Sequence, residues 1–166
     1  LNACRLIYGN KKIFKSINVE TRQAAEGIDD ILKVASPHVD NITIGRTDLS
    51  RSYFDEKIQP ESKFIQDIII SLVQKVTAAG LSFTVGGSIS RDSIECFHSR
   101  PKEWLRQITN LETRKVILPT NIMLENEEAL KESIKFEELY LHFKIGVEEL
   151  MISSDKERFA KLKERL

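Results

Sequence analysis

Cysteine is scarce in this sequence, with only Cys4 and Cys96 among 166 residues. They lie far apart and lack metal-ligand spacing, which argues against a disulfide scaffold or a zinc site and points to a reducing cytoplasm. Each reads as a small buried apolar residue. Net charge is missing as well, because 25 Lys and Arg balance 25 Asp and Glu. No overall field therefore draws the molecule to nucleic acid or to an anionic membrane. No apolar run approaches the roughly 20 residues that span a bilayer, and the opening LNACRLIYGNKK lacks the segment order of a secretory signal. These absences predict a soluble, cytoplasmic protein with neither a membrane nor a nucleic acid as partner. Low-complexity tracts, Gly/Ser linkers and residue-level repeats are not evident, so residues 1–166 read as a single domain.

What is present is an ordinary globular balance, 41% hydrophobic and 30% charged residues, enough to bury a core beneath a solvated surface. Short β-rich runs alternate with longer segments of helical period, the pattern of parallel strands joined by helices. The first strand is expected over Ile13 to Val19, followed by a helix with Ala24, Ile28, Ile31, Leu32 and Ala35 on one face, stopped by Pro37. The second is expected over Val39 to Ile44, with a long polar loop, GRTDLSRSYFDEKIQP, behind it. Pro60 suits a first helical position, ahead of an apolar stripe running from Phe64 to Val76 that Gly80 closes. The third strand, Leu81 to Val85, runs into Gly86, Gly87 and Ser88, with Ser90 placed to cap a short helix. The fourth is expected over Lys115 to Leu118, ending at Pro119. A helix from about Glu127 to Glu149 follows, and Ser154 and Glu157 have capping-box spacing ahead of a last amphipathic helix. The opening segment, without methionine, reads as the middle of a helix, so the true start is expected upstream.

In parallel α/β architectures active sites gather at the carboxyl ends of the strands. That rule places Glu20, Asp48, Gly86 to Ser88, and Pro119 to Asn121 at one mouth. Two carboxylates on adjacent strand ends suit a hard divalent cation; each can equally serve only as a cap for the helix or loop that follows. Gly45 permits close backbone approach, so the amides of Arg46, Thr47 and Asp48 can form an anion-binding nest, with Arg46 adding a positive charge; a plain connection is the alternative. Gly86 and Gly87 can admit a substrate or simply form a turn. His38, His98 and His142 are isolated and read as surface or packing residues. Arg114 is expected on the stability face, and the charged tail SSDKERFAKLKERL as the solvated side of a helix.

The segments INVETRQAAEGIDDIL and VDNITIGRTDLSRSY resemble the metal-dependent HpcH/HpaI aldolase and citrate lyase beta-subunit family. There a V-E-T segment ends one strand, a G-P-x-D-L-S segment ends the next, and the acid of each binds Mg²⁺ or a similar ion. TVGGSIS, ETRKVIL and ALKESIKFEELYLHFK extend the resemblance, to a poorly characterised branch. It implies a (β/α)8 TIM barrel of which this chain supplies about the last four βα units plus carboxyl-terminal helices. It further implies Glu20 and Asp48 as ligands to Mg²⁺ or Mn²⁺, and the amides of Arg46, Thr47 and Asp48 as the cradle for an oxo-acid carboxylate. Arg46 stands where the better-known aldolases have proline.

The implied activity is a carbon-carbon lyase, aldolase-like or citrate lyase-like, working on an oxo acid through a metal-stabilised enolate. The arginine and histidine that complete the family's catalytic set are expected upstream of Leu1. A non-catalytic binding or assembly module, and a lyase acting on acyl-coenzyme A, are the alternatives. The terminal helices from Glu127 onward are expected to pack against another subunit of a homo-oligomer.

Overall fold

Polar and apolar residues alternate along the four parallel strands, and this period of two sorts the two faces of the sheet. The computed structural model describes residues 13–165. The four leading strands are β1 (Ser16–Val19), β2 (Asn41–Gly45), β3 (Ser82–Gly86) and β4 (Asn110–Glu112), each parallel to its neighbour. A fifth, β5 (Ile117–Pro119), returns antiparallel along β4, so the sheet order is β1-β2-β3-β4-β5. The protein is thus a mixed α/β fold built on a five-stranded sheet.

Ile42, Ile44, Phe83, Val85 and Leu111 point to the helix-covered face, where each is fully buried. Burial of such side chains stabilises the fold by roughly 1.5–3 kcal/mol apiece. They pack with Ile28 and Leu32 of α2 (Ile28–Ala35), with Ile65, Ile69, Leu72, Val73 and Val76 of α4 (Lys63–Ala78), and with Phe97 of α5 (Arg91–His98). The short helices α1 (Arg22–Glu26), α3 (Arg46–Arg51), α6 (Lys102–Leu105) and α7 (Thr120–Glu125) fill the connections. Local chemistry starts several of them. The hydroxyls of Thr21, Ser62 and Ser90 accept from the amides of Ala24, Ile65 and Ser93, satisfying donors that a first turn otherwise leaves open.

The opposite face is polar. Asn41, Thr43 and Thr84 are buried there and linked by hydrogen bonds: Asn41 Nδ2 donates to Thr43 Oγ1 at 3.0 Å, and Thr84 Oγ1 donates to Asn41 Oδ1 at 3.1 Å. Most parallel sheets carry apolar residues on both faces. Here one face is a satisfied polar network leading toward the carboxyl ends of the strands.

The structure corrects several expectations. The fourth strand lies earlier, at Asn110–Glu112, because Leu111 is its fully buried residue. The Val116 to Leu118 run belongs instead to the return strand of a hairpin, closed by the Thr113 amide donating to the Val116 carbonyl at 2.9 Å. The helix after β1 breaks at Gly27, and Pro60 sits in the turn before α4, whose cap is Ser62. The loop after β2 begins with the helical turns of α3. The two terminal helices are one, α8 (Glu127–Lys163), and Ser154 lies inside it rather than capping anything. Cys96 is half-buried rather than buried, while Cys4, Leu166 and the opening segment expected to be helical lie outside the described residues. Among the described residues no helix is long and apolar enough to cross a membrane.

Candidate functional site

Four adjacent positions run across the carboxyl ends of β1 to β4: Glu20, Gly45, Gly86 and Glu112. Gly45 pairs in register with Gly86; Val19 pairs with Ile44, and Val85 with Leu111. Glu20 therefore follows into place beside Gly45, and Glu112 beside Gly86. The two glycines are spaces for the two carboxylates. A Cβ on Gly45 would stand 2.7 Å from Glu20 Cγ and 2.8 Å from its Oε1, and one on Gly86 would stand 3.3 Å from Glu112 Oε2. The result is a glycine floor with an acid leaning in from either side.

This row floors a cleft of about 480 Å³, with Asn18, Thr43, Thr47 and Asp48 on one side and Arg114 and Lys115 on the other. Glu137, Tyr140, Leu141 and Lys144 of α8 form a further wall. Asn18 Nδ2 donates to Glu20 Oε1 at 3.2 Å, fixing that carboxylate over Gly45. Glu112 has its carboxyl pushed above the ordinary range, first by burial and then by the negative charge of Glu20. Asp48 is more open and approaches Arg51 at 3.7 Å. The buried hydroxyl of Thr47 has no hydrogen-bond partner among the described residues, an unusual state for a buried polar atom.

Arg46 does not contribute its charge to the cleft. Its side chain is fully buried and turns the other way. Nε donates to the Gly86 carbonyl at 3.1 Å; Nη2 donates to the Gly87 carbonyl at 3.1 Å and to Ser93 Oγ at 3.0 Å; Nη1 meets Glu61 Oε1 at 3.3 Å. Burial pulls this guanidinium below its ordinary value, and Glu61 opposes the shift. The charge expected beside the substrate is therefore a brace beneath the first turn of α3, tied to the carbonyls of Gly86 and Gly87.

Gly87 packs directly on the first turn of α3. With φ at +91° it adopts a backbone that L side chains rarely take, and a Cβ would lie 2.6 Å from the Arg46 nitrogen and 2.7 Å from that of Thr47. Ser88 follows at φ +56°, and its hydroxyl accepts from Arg114 Nε at 3.1 Å. Arg114, expected on the stability face, is in the cleft because it follows a strand that ends there. Its Nε is also 3.9 Å from Glu137. Lys115 Nζ rests 4.2 Å from the Tyr140 ring centroid, a cation–π contact.

Of the residues expected at the mouth, Glu20, Thr47, Asp48 and Gly86 to Ser88 line this cleft. Thr120 and Asn121 do not. Because β5 is antiparallel, Thr120 donates its amide to Thr109 at 3.1 Å, at the amino end of β4, and both line a separate cleft of about 720 Å³. His98 borders that second cleft with its Nε2 3.2 Å from the Leu124 carbonyl, a packing role.

The missed residues, above all Glu112 and Arg114, carried a signal. β1 runs out in N-V-E-T-R (residues 18–22) and β4 in N-L-E-T-R (residues 110–114). The chain therefore does hold a short internal repeat, and its two glutamates are the pair that flanks the glycine floor.

Oxygen is the donor in every carboxylate of this row, the type that Mg²⁺ and Mn²⁺ prefer. Among the described residues no three His, Cys, Asp or Glu side chains gather as a metal-binding group. A Mg²⁺ site held by one or two carboxylates needs none, since substrate and water complete it. Glu20, Thr47 and Asp48 all line the cleft and offer oxygen donors of that type. No protein-family model matches the chain, and no curated protein matches it.

Proposed function

We propose that this chain carries the metal-binding half of a carbon-carbon lyase that acts on an oxo acid, in a barrel of the HpcH/HpaI aldolase and citrate lyase kind. The observation that carries the reading is the row Glu20–Gly45–Gly86–Glu112, with Asp48 at its edge: acids over an open backbone floor, at the end of a parallel sheet where such sites form. The V-E-T and G-x-x-D-L-S segments support it independently, because they place Glu20 and Asp48 at neighbouring strand ends. The barrel reading takes β1 to β4 as consecutive barrel strands and leaves antiparallel β5 outside the set.

Glu20 and Asp48 would hold Mg²⁺ or Mn²⁺. A divalent cation bound there supplies positive charge that polarises an oxo-acid carbonyl. The protein's own part is placement. First-turn amides of α3, from Arg46 to Asp48, have no partner within the helix and would orient the substrate carboxylate, held rigid by the Arg46 side chain beneath and Gly87 beside them. Asn18 fixes Glu20, and Arg114, tied to Ser88, offers a guanidinium for a second anionic group.

The test is exchange of the methyl protons of pyruvate for deuterium in D₂O, followed by proton NMR with and without Mn²⁺. Loss of the methyl signal above a protein-free control reports removal of a proton next to the carbonyl. Mn²⁺ binding, followed separately by water relaxation, is expected to be lost in Glu20→Gln and Asp48→Asn while the fold is kept. Unchanged Mn²⁺ titrations in both variants would reject the ligand assignment.

A further inference from the structure

The second cleft, of about 720 Å³, lies at the amino end of β4, away from the candidate site. It runs between α7 on one side and α6 with the turn after it on the other. Two hydrogen bonds fix its ends. At one, the Thr120 amide donates to the Thr109 carbonyl at 3.1 Å; at the other, His98 Nε2 meets the Leu124 carbonyl at 3.2 Å. Between them the lining is apolar, with Ile108 only 2% exposed and Leu105 and Leu124 half-buried against the core. A concave, mainly apolar space with a few polar groups is the usual form of a small-molecule site.

The polar groups say what kind of molecule suits it. Arg106, just before Thr109 in the chain, lines the cleft and forms no ion pair among the described residues; nor does Lys102, a turn earlier. Glu125 is the one acid on the lining, so these two cations leave the cleft positive. Thr120, also on the lining, is 6% exposed, and its hydroxyl has no hydrogen-bond partner among the described residues. A buried hydroxyl left in that state is destabilising. Thr109 beside it is satisfied, its hydroxyl accepting from the Phe83 amide at 3.3 Å. Thr120 lacks an acceptor and Arg106 lacks an anion; a carboxylate supplies both.

We infer that this cleft binds a carboxylic acid with an apolar body, its carboxylate held between Arg106 and the Thr120 hydroxyl and its body lying along Leu105, Ile108 and Leu124. Glu20 and Asp48 take no part. The bound acid would sit at the start of β4, the strand whose other end carries Glu112.

Octanoate is the probe, titrated into the full chain while its amide proton and nitrogen NMR shifts are followed. Shifts are expected from Leu105 to Thr109 and from Thr120 to Leu124, saturating in the millimolar range. Acetate has the charge without the body, and octanol the body without the charge; each is expected to bind about tenfold more weakly or worse. Arg106→Gln alters an exposed side chain and should weaken octanoate about threefold or more. Thr120→Val should weaken it about tenfold without lowering the Tm, because it removes the unsatisfied hydroxyl. Glu20→Gln should bind octanoate as the wild type does, which separates this site from the metal cleft. Shifts that are absent or centred on Gly45 and Thr47, an Arg106→Gln affinity equal to wild type, or acetate binding as tightly as octanoate would each overturn the inference.

Discussion

Arg46 and Gly87 hold each other in place from both ends. The guanidinium of Arg46 reaches across to donate Nη2 to the Gly87 carbonyl at 3.1 Å, while the Gly87 Cα lies so close to the Arg46 backbone nitrogen that a Cβ would stand 2.6 Å away. One residue thus fixes the loops after two neighbouring strands, and the first turn of α3 between them is rigid for that reason.

Replacing Arg46 by lysine keeps the charge but not the fork. An ammonium cannot meet Gly86, Gly87, Ser93 and Glu61 together, so buried acceptors are left without donors. A loss of about 3 kcal/mol is expected, read as a lower urea midpoint with an unchanged slope. A midpoint equal to wild type would show that the brace is dispensable.

Gly87→Ala and Gly45→Ala separate folding from site chemistry. At Gly87 both the positive φ and the adjacent backbone nitrogens oppose a methyl group, so a loss of about 3 kcal/mol or more is expected. At Gly45 the obstacle is the Glu20 side chain, from Cγ outward, which can swing aside by giving up its hydrogen bond from Asn18. Gly45→Ala is therefore expected to cost under about 1 kcal/mol yet weaken Mn²⁺ binding about tenfold or more. Equal effects of the two substitutions on thermal unfolding would contradict this division.

The raised carboxyl of Glu112 sets a pH dependence. In the folded protein it binds its proton more tightly than in the unfolded chain, because burial and then Glu20 disfavour its charge. Its contribution is fully favourable below the unfolded value and declines as pH rises toward the folded one. Glu112→Gln should therefore raise the Tm at about pH 7 and leave it unchanged near pH 3. A Tm lowered at neutral pH would mean that the charged form is stabilised in the fold.

Much of this was legible in residue order. Strand and helix alternation, the cap at Ser90, and the position of Glu20 and Asp48 at strand ends follow from period and punctuation. Glu112 was obscured because Val116, Ile117 and Leu118 form the more apolar run, and a run that short does not reveal whether it leads a hairpin or returns from it. The direction of the Arg46 side chain was hidden for a different reason: its acceptors are carbonyls about 40 residues further on, and backbone acceptors leave no trace in side-chain type.

By itself the sequence determined which residues alternate, where helices start, that two N-x-E-T-R segments exist, and that a long helix follows Glu127. Only the tertiary structure decided that those two glutamates face one another. The distance between them depends on strand order and register, which are set by many weak contacts far apart in the chain and by no residue alone.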